Sequence, residues 1–285
     1  MKVESFFDKN TFTVTYVVYD EQTRDAVVID SVLDFDSHSG AITNESYLKV
    51  KNFLIESKLT LKNILETHAH ADHLTAAPLF KKDFPNAGLV IGKAITLVQE
   101  TFGPVFNLVD LDIDGSQFDV LLEDGSVLNA GSIKIEAIST PGHTPACMTY
   151  KIDNMIFTGD AIFMPDMGTG RCDFPKGSAV DLYNSIQKLY KLNDDTIVYV
   201  GHDYAPNGRE YSWKTTIKEL KEKNIQLKSS TSKEEFVEFR TKRDATLAAP
   251  KLLLPSIQVN IDAGHLPKSE SNDKIYMKIP LNIKF

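Results

Sequence analysis

Histidines in this chain are concentrated in three short segments, and this clustering constrains the fold more than any other feature. Five of the seven histidines lie at 68–73 (His-Ala-His-Ala-Asp-His), 141–144 (Pro-Gly-His-Thr) and 201–203 (Gly-His-Asp). A Thr-Gly-Asp segment at 158–160 lies between the last two. Each segment follows an apolar run typical of a buried strand, so distant imidazoles and carboxylates are expected to meet at one sheet edge. The clustering therefore predicts a metal site.

Composition and charge exclude several classes of protein. The 285 residues, 42% of them hydrophobic, are enough to bury one large core. A formal net charge of −8 and a pI near 5.4 give no electrostatic basis for binding nucleic acid. No apolar run reaches the roughly 18 residues of a membrane span, and the acidic N-terminus resembles neither a secretory signal nor a transit peptide. With only two cysteines and no implied disulfide framework, a cytoplasmic protein is expected.

The order of apolar runs predicts two mixed sheets with helices on the outside. Two runs, 12–19 and 26–32, flank a polar turn and predict an opening hairpin. A strand over 61–66 places the first histidine cluster in a strand-to-helix loop. The β-rich stretch 117–140 has no intervening helix, which favours a sandwich over a single doubly wound sheet. Further helices are expected over 44–57, 74–84, 94–106 and 180–190, and further strands over 89–91, 148–152, 155–157 and 196–200.

Beyond the histidine segments the chain becomes charged and helical. We expect residues 1–210 to form the catalytic domain and 211–285 to form a helical or extended segment packed on it. Ser232-x-x-Glu235 has the spacing of a helix capping box. The run 252–261 is apolar enough to pack back on the body.

The spacing within the first cluster allows two adjacent metal sites. His68 and His70 are two residues apart, so on an extended segment their side chains leave on the same side. Asp72 and His73 lie where the chain begins to turn and can face a second pocket. Asp160, which follows a glycine, can bridge both.

The order His68-x-His70-x-Asp72-His73, then His143, Asp160 and His202, resembles the metallo-β-lactamase superfamily over about residues 10 to 205. This resemblance implies an α/β fold of the α+β type. The expected architecture is a four-layer αβ/βα sandwich with a C-terminal extension and with metal at the edge between the two sheets. The superfamily includes di-zinc hydrolases as well as iron enzymes that use oxygen, so membership alone does not specify the reaction.

Two further segments resemble one subgroup, the persulfide dioxygenases. They are 164–175 (Met-Pro-Asp-Met-Gly-Thr-Gly-Arg-Cys-Asp-Phe-Pro) and 201–204 (Gly-His-Asp-Tyr), while 255–260 resembles the tail of the longer bacterial form. The resemblance implies oxidation of glutathione persulfide by O₂ to glutathione and sulfite. It also implies one Fe(II) per chain.

By the same resemblance, His68, His143 and Asp160 hold the iron. Two imidazoles and one carboxylate form the facial triad typical of Fe(II) oxygenases, whereas zinc is redox-inert and would only activate water. Four further residues are expected to orient ligands and water, or to hold a second metal: His70, Asp72, His73 and His202.

Glutathione persulfide is an anion approaching a negative protein, so local cations must compensate; the same resemblance implies that Arg171 and Tyr204 contact the substrate, and the guanidinium of Arg171 suits a carboxylate. Arg209, Arg240 and Arg243 are weaker candidates, since arginines in a polar tail are most often solvated. Several other residues are expected to have no role in the site, namely His38, His265, Asp30, Asp203, Cys147 and Cys172.

Two other functions stay open at this point. A di-zinc thioesterase of the hydroxyacylglutathione hydrolase type would also recognise glutathione and carry a C-terminal helical extension. A non-catalytic metal-binding or sulfide-sensing protein on the same scaffold is disfavoured by the full ligand set. The sequence leaves the native metal open between iron and zinc, and the assembly open between a monomer and a homodimer.

Overall fold

The computed structural model describes residues 1–282, and within that range it contains fifteen strands and seven α-helices. The strands are β1 (Lys2–Phe7), β2 (Val14–Tyr19), β3 (Asp25–Ile29), β4 (Val32–Asp36), β5 (Ala41–Thr43), β6 (Thr60–Leu65), β7 (Leu74–Thr75), β8 (Gly88–Gly92), β9 (Val120–Leu122), β10 (Val127–Ala130), β11 (Ile133–Ser139), β12 (Met148–Ile152), β13 (Met155–Phe157), β14 (Ile197–Tyr199) and β15 (Lys214–Thr216). The helices are α1 (Glu45–Glu56), α2 (Ala77–Asp83), α3 (Ile95–Val105), α4 (Ala179–Leu189), α5 (Ile217–Lys223), α6 (Lys233–Asp244) and α7 (Leu253–Asn260).

Two six-stranded mixed sheets form the centre of the fold. The first has the order β1-β2-β3-β6-β8-β9, and the second has the order β10-β11-β12-β13-β14-β15. In the first sheet, β1 to β3 pair antiparallel and β3, β6, β8 and β9 run parallel. In the second, only β13 and β14 are parallel neighbours. A small third sheet joins β5, β4 and β7. The predicted sandwich of two mixed sheets is confirmed.

Alternating side chains on the strands supply separate apolar cores. In β3, Val27 and Ile29 face a core between the two sheets, whereas Ala26 and Val28 face a core under the helices on the other side. Both faces of the strand are therefore buried, which explains its unbroken apolar run. On the far side of the second sheet, Leu182 of α4 and Phe236 of α6 contribute to a third core. Helices thus cover both outer faces, and the four predicted layers are present.

Most predicted elements are present, but several differ from expectation, and strands β4 and β5 were not predicted. Strand β1 was not predicted; it forms an antiparallel edge strand on β2. Helix α2 begins at Ala77 rather than Leu74, because Leu74 and Thr75 pair with β4 and Pro78 lies at the start of the helix. Strand β9 lies in the stretch expected to be antiparallel, yet it pairs parallel with β8 at the edge of the first sheet.

The extension is in contact with the rest of the fold. Strand β15, within the segment assigned to the extension, pairs with β14 and completes the second sheet. Ser232 accepts a hydrogen bond from the Glu235 backbone N–H at the start of α6, as the capping pattern predicts. The predicted division of the chain into residues 1–210 and 211–285 stays a prediction. The last three residues of the second segment, 283–285, lie outside the described range. No helix among residues 1–282 is long and apolar enough to cross a membrane.

Candidate metal centre

The ligand-type side chains all come from loops at the ends of strands. Strand β6 ends at Leu65, and the irregular segment 66–73 that follows carries the first cluster. His143 lies in the loop between β11 and β12, Asp160 lies three residues after β13, and His202 lies three residues after β14. Because these strands end at the same edge of the sandwich, four distant segments converge there.

One group of three donors is formed by His68, His143 and Asp160, whose ligand atoms lie within 4.8 Å of one another. His143 Nε2 is 3.6 Å from Asp160 Oδ2. The other ring nitrogen of His143, Nδ1, is 2.7 Å from the carbonyl oxygen of Arg171, to which it donates if it carries the proton. This contact leaves Nε2 as a lone-pair donor directed to the centre. The sequence-predicted triad is thus brought together.

A second group of three donors is formed by His70, Asp72 and His73, again within 4.8 Å of one another. His202 joins it, because its Nε2 lies 3.4 Å from Asp72 Oδ2 and 3.3 Å from Asp160 Oδ1. Asp160 therefore has one oxygen near His143 and the other near His202. All seven ligand-type residues predicted from sequence lie in one centre.

Unpaired atoms indicate that the centre fits a cation. Among residues 1–282, four buried ligand-type atoms here have no hydrogen-bond partner: His68 Nε2, His70 Nδ1, His73 Nε2 and Asp160 Oδ1. Leaving such atoms unpaired in a buried position costs free energy. Imidazole nitrogen and carboxylate oxygen are also donors that bind borderline divalent metals. The residues present therefore fit a metal ion.

Protonation within the centre favours ligation by His68. Its pKa is held well below the ordinary value, first because burial disfavours the imidazolium and then because His70 and His143 add positive charge nearby. A neutral imidazole is the form that binds metal. Burial opposes the charge on Asp72 as well, but His202 and His73 outweigh it and hold the pKa of Asp72 well below its usual range.

Asp30 belongs to the centre, although it was expected to be only a strand-end residue. Its Oδ1 is 3.0 Å from His70 Nε2, and it accepts hydrogen bonds from the Thr67 backbone N–H at 2.7 Å and hydroxyl at 2.9 Å. Burial disfavours the Asp30 carboxylate, yet the charge and hydrogen bond of His70 lower its pKa overall. A carboxylate behind a metal-binding histidine fixes the ring and raises its basicity. Sequence could have indicated it only through a buried acid at the end of an apolar strand.

Glu66 is a second buried acid that sequence reasoning missed. Its carboxylate accepts the Thr75 hydroxyl at 2.5 Å and lies 3.4 Å from His70 Nε2. Burial is the main cause that raises the pKa of Glu66. Two carboxylates therefore lie close to His70 Nε2: Asp30, which follows β3, and Glu66, which follows β6.

A cleft of about 390 Å³ opens onto the first donor group. His143, Asp160 and Asp72 contribute to its floor. Its walls are partly apolar and partly cationic or phenolic: Phe163, Met167, Phe174, Leu247, Arg171, Arg240, Arg243 and Tyr204. Residues 240–250 of the C-terminal segment therefore form one wall of the cleft.

The predicted substrate-contact residues differ in how many contacts they already make within the protein. Arg171 makes a paired contact with Asp173 at 2.6 Å from both Nε and Nη2 and donates to the Ala248 carbonyl at 2.7 Å. Arg240 is buried and ion-paired with Asp244. Tyr204 is 44% exposed, and its ring stacks 5.8 Å from that of His202.

Arg209, a weaker candidate, does not line this cleft. It binds Asp166 at 2.5 and 2.9 Å and Asp203 at 2.6 and 2.7 Å, which ties the loop after β13 to the loop after β14. Asp203, expected to have no role in the site, is a partner of Arg209 in this contact between the two loops.

Residues expected to lie outside the site do so, apart from Asp30. His38 and His265 are exposed and contact only nearby aspartates in the described hydrogen-bond and ion-pair network. Cys147 and Cys172 are buried. Burial raises the pKa of the Cys147 thiol to about 12 and also raises the pKa of the Cys172 thiol. Neither thiol has the lowered pKa of a reactive cysteine.

Comparison with known proteins gives two kinds of relative. The chain is 47% identical to glyoxylase B2 of Dictyostelium discoideum over 99% of this chain and 97% of that one. It is 44% identical to a probable metallo-hydrolase of Burkholderia pseudomallei, over 99% of each. The human mitochondrial persulfide dioxygenase ETHE1 is more distant, at 31% identity over 92% of this chain and 88% of that one.

A solved structure and a family model match as well. The crystal structure of ETHE1 from Myxococcus xanthus is similar with a TM-score of 0.75 and 32% identity, over 93% of this chain and all of that one. The model of the metallo-beta-lactamase superfamily matches residues 9–202, which include all seven ligand-type residues. Fold, ligand arrangement and sequence thus agree, and this chain belongs to the metallo-β-lactamase superfamily.

Proposed function

We propose that this protein is an Fe(II)-dependent persulfide dioxygenase that oxidises glutathione persulfide with O₂. The observation that carries the proposal is the group of His68, His143 and Asp160, of which His143 and Asp160 line a cleft with cationic and apolar walls. Two imidazoles and one carboxylate are the donors of non-haem Fe(II) oxygenases. When bound there, Fe(II) supplies open coordination positions and the redox activity that dioxygen chemistry requires.

The overall reaction balances with one water. Glutathione persulfide, O₂ and water give glutathione, sulfite and two protons; the S–S bond breaks, the outer sulfur is oxidised and dioxygen is reduced. Likeness to the ETHE1 structure from Myxococcus xanthus and to the human persulfide dioxygenase supports this reaction. It spans more than nine-tenths of this chain in both cases.

The chain's own residues bind and orient the substrate in this account. Arg243 and Arg171 present positive charge at the cleft, which offsets the overall charge of −8 and attracts the glutathione carboxylates. Phe163 and Phe174 line the inner wall and exclude water from the reacting sulfur. His202 Nε2 lies 3.3 Å from Asp160 Oδ1, and His143 Nε2 lies 3.6 Å from Asp160 Oδ2, so the Asp160 carboxylate is positioned between the two imidazoles.

A di-zinc thioesterase of the hydroxyacylglutathione hydrolase type is the second candidate. Two observations favour it: Asp160 has one oxygen toward each donor group, and the more similar relatives carry the names glyoxylase B2 and probable metallo-hydrolase. These names support the hydrolase better than the dioxygenase. In that reaction the ions would bind and activate the attacking water, and the same arginines would hold the glutathione part of the thioester.

One preparation tests both reactions. Protein purified without oxygen is analysed for iron and zinc, and then supplied in parallel with glutathione persulfide in an oxygen electrode and with S-lactoylglutathione in a hydrolysis assay. The proposal expects about one iron per chain and oxygen uptake only with the persulfide. About two zinc ions per chain with thioester hydrolysis and no oxygen uptake would replace it with the second candidate.

A further inference from the structure

The backbone of the ligand loop is held by one side chain from the other end of the chain. Segment 66–73 has no regular secondary structure, so its buried peptide groups need other partners. Asn260, the last residue of α7, donates from Nδ2 to the carbonyl oxygens of His70 at 2.8 Å and His73 at 2.7 Å. Its Oδ1 accepts the backbone N–H of Thr75 at 3.0 Å.

These three bonds use both amide hydrogens of Asn260 and one lone pair of its oxygen. Asn260 is 4% exposed, so these hydrogen bonds are shielded from solvent. The three backbone groups span the residues that carry His70, Asp72 and His73, the second donor group. The buried side-chain amide of Asn260 therefore fixes the backbone conformation of the loop that carries these ligands.

Helix α7 is itself anchored against the same loop. Ile257 packs in the core that contains Ala69 and Ala71, the two small residues between the histidines of the loop. After the helix, Gly264 has φ +86, and a Cβ there would lie 2.7 Å from Thr75 Cγ2. The close approach of α7 to the loop thus depends on small residues on both sides.

Polar side chains also connect this contact to the His70 ring. Thr75, whose N–H binds Asn260, donates its hydroxyl to Glu66 at 2.5 Å. Glu66 in turn lies 3.4 Å from His70 Nε2, which is 3.0 Å from Asp30 Oδ1. His70 is therefore held at its carbonyl by Asn260 and at its ring by Asp30, with Glu66 close by.

We propose that Asn260 is a positioning residue for the metal centre and that α7 is an integral part of that centre. The inference rests on the proposed function only in so far as a metal ion binds these side chains, and it holds for either reaction. Metal–ligand distances of about 2.0 to 2.2 Å tolerate little movement, so a loosened loop should bind the ion less tightly.

Gln258 provides a matched control on the same helix. It is 2% exposed, donates from Nε2 to Leu254 and Lys278 carbonyls at 2.8 and 3.1 Å, and accepts the Lys278 N–H at 2.9 Å. It therefore makes the same number of side-chain hydrogen bonds as Asn260, here partly buried, but none reaches the ligand loop. Gln258→Ala should destabilise the fold without changing the metal centre.

The test compares Asn260→Asp, Asn260→Ala and Gln258→Ala in the full chain loaded with Co(II). Asp keeps the volume and the acceptor of Asn but loses both donors, so it separates hydrogen bonding from packing. We expect both Asn260 variants to bind Co(II) about 10- to 100-fold more weakly and to show an altered visible spectrum. Gln258→Ala should stay within about twofold of the unsubstituted protein.

Two outcomes would overturn the inference. One is Co(II) affinity and spectrum unchanged in Asn260→Asp; the other is an equal loss of affinity in Gln258→Ala. If Asn260→Ala does not fold, Asn260→Asp decides alone, and its failure to fold while Gln258→Ala folds would make Asn260 a folding residue instead. None of these readouts needs the persulfide, so failure of the proposed reaction would show separately in the oxygen electrode.

Discussion

The two donor groups of the centre differ in how they are held. The open group is His68, His143 and Asp160; His143 and Asp160 line the cleft, and the rings of the two histidines contact a hydroxyl and a backbone carbonyl. The tied group, His70, Asp72 and His73, is fixed by Asp30, Glu66 and Asn260. The tied group therefore has charged partners in addition to neutral ones. Under the proposed function, the reactive ion binds at the open group.

The largest expected effect separates the two groups directly. His143→Ala should abolish iron binding and lower activity by about 10³-fold or more, because metal chemistry contributes several kcal/mol to such reactions. His73→Ala should keep about one iron per chain. Elemental analysis of both variants checks this, with the exposed His265→Ala as control. Equal metal loss in His73→Ala and His143→Ala would contradict a single ion at the open group.

The next effect concerns the carboxylate behind His70. Asp30→Asn removes the negative charge that holds the His70 ring and Thr67, whose hydroxyl lies 3.0 Å from His68 Nδ1, and metal affinity should fall about 10- to 100-fold. The matched control is Asp36→Asn, which removes the partner of the exposed His38, 3.3 Å away. Competition with a chelator measures both. An Asp30→Asn protein with undiminished affinity would show that the tied group does not influence the ion.

A smaller effect is expected on the cleft wall of the open group. Arg171→Ala should raise KM for glutathione persulfide about tenfold and change kcat less, since it removes a charge-assisted contact with the substrate. The Asp173 contact already engages part of the guanidinium, which limits the loss. Steady-state oxygen uptake measures the two constants, and Arg24→Ala on a distant turn is the control. An unchanged KM would remove Arg171 from the substrate site.

The smallest expected effect concerns the reactivity of Cys147, at the end of the loop that carries His143. Cys147 contacts the Thr144 hydroxyl at 3.1 Å, and burial raises the pKa of its thiol from 9.0 to about 12. Because the folded state keeps this proton, its contribution to stability is present below pH 9.0 and is lost as pH rises toward about 12. We expect no alkylation by iodoacetamide at pH 8 in the native protein, as measured by mass spectrometry. Rapid labelling of Cys147 would contradict this burial.

The sequence was sufficient for the features that depend on local pattern. Apolar runs and helical spacing predicted the sandwich, and the histidine segments predicted which residues converge, because strands ending at one edge bring their loops together. The predicted helix over 44–57 is α1, Glu45–Glu56, and the predicted opening hairpin is β2 and β3.

What could not be predicted depends on contacts between distant segments. Asp30 lies 40 residues from its partner His70, and Asn260 lies 190 residues from that same residue. Neither has a local spacing that distinguishes it from an ordinary polar residue. The parallel pairing of β9 likewise depends on which sheet edge is free after folding, not on its own alternation.

The stoichiometry of oxygen and sulfite tests the central claim most directly. Iron-loaded protein is mixed with glutathione persulfide, and the dissolved oxygen consumed is compared with the sulfite formed. A single Fe(II) at His68, His143 and Asp160 predicts one O₂ per sulfite, with this activity lost in Asp160→Ala. An iron-loaded protein that leaves dissolved oxygen unchanged while a zinc-loaded one hydrolyses S-lactoylglutathione would contradict the account.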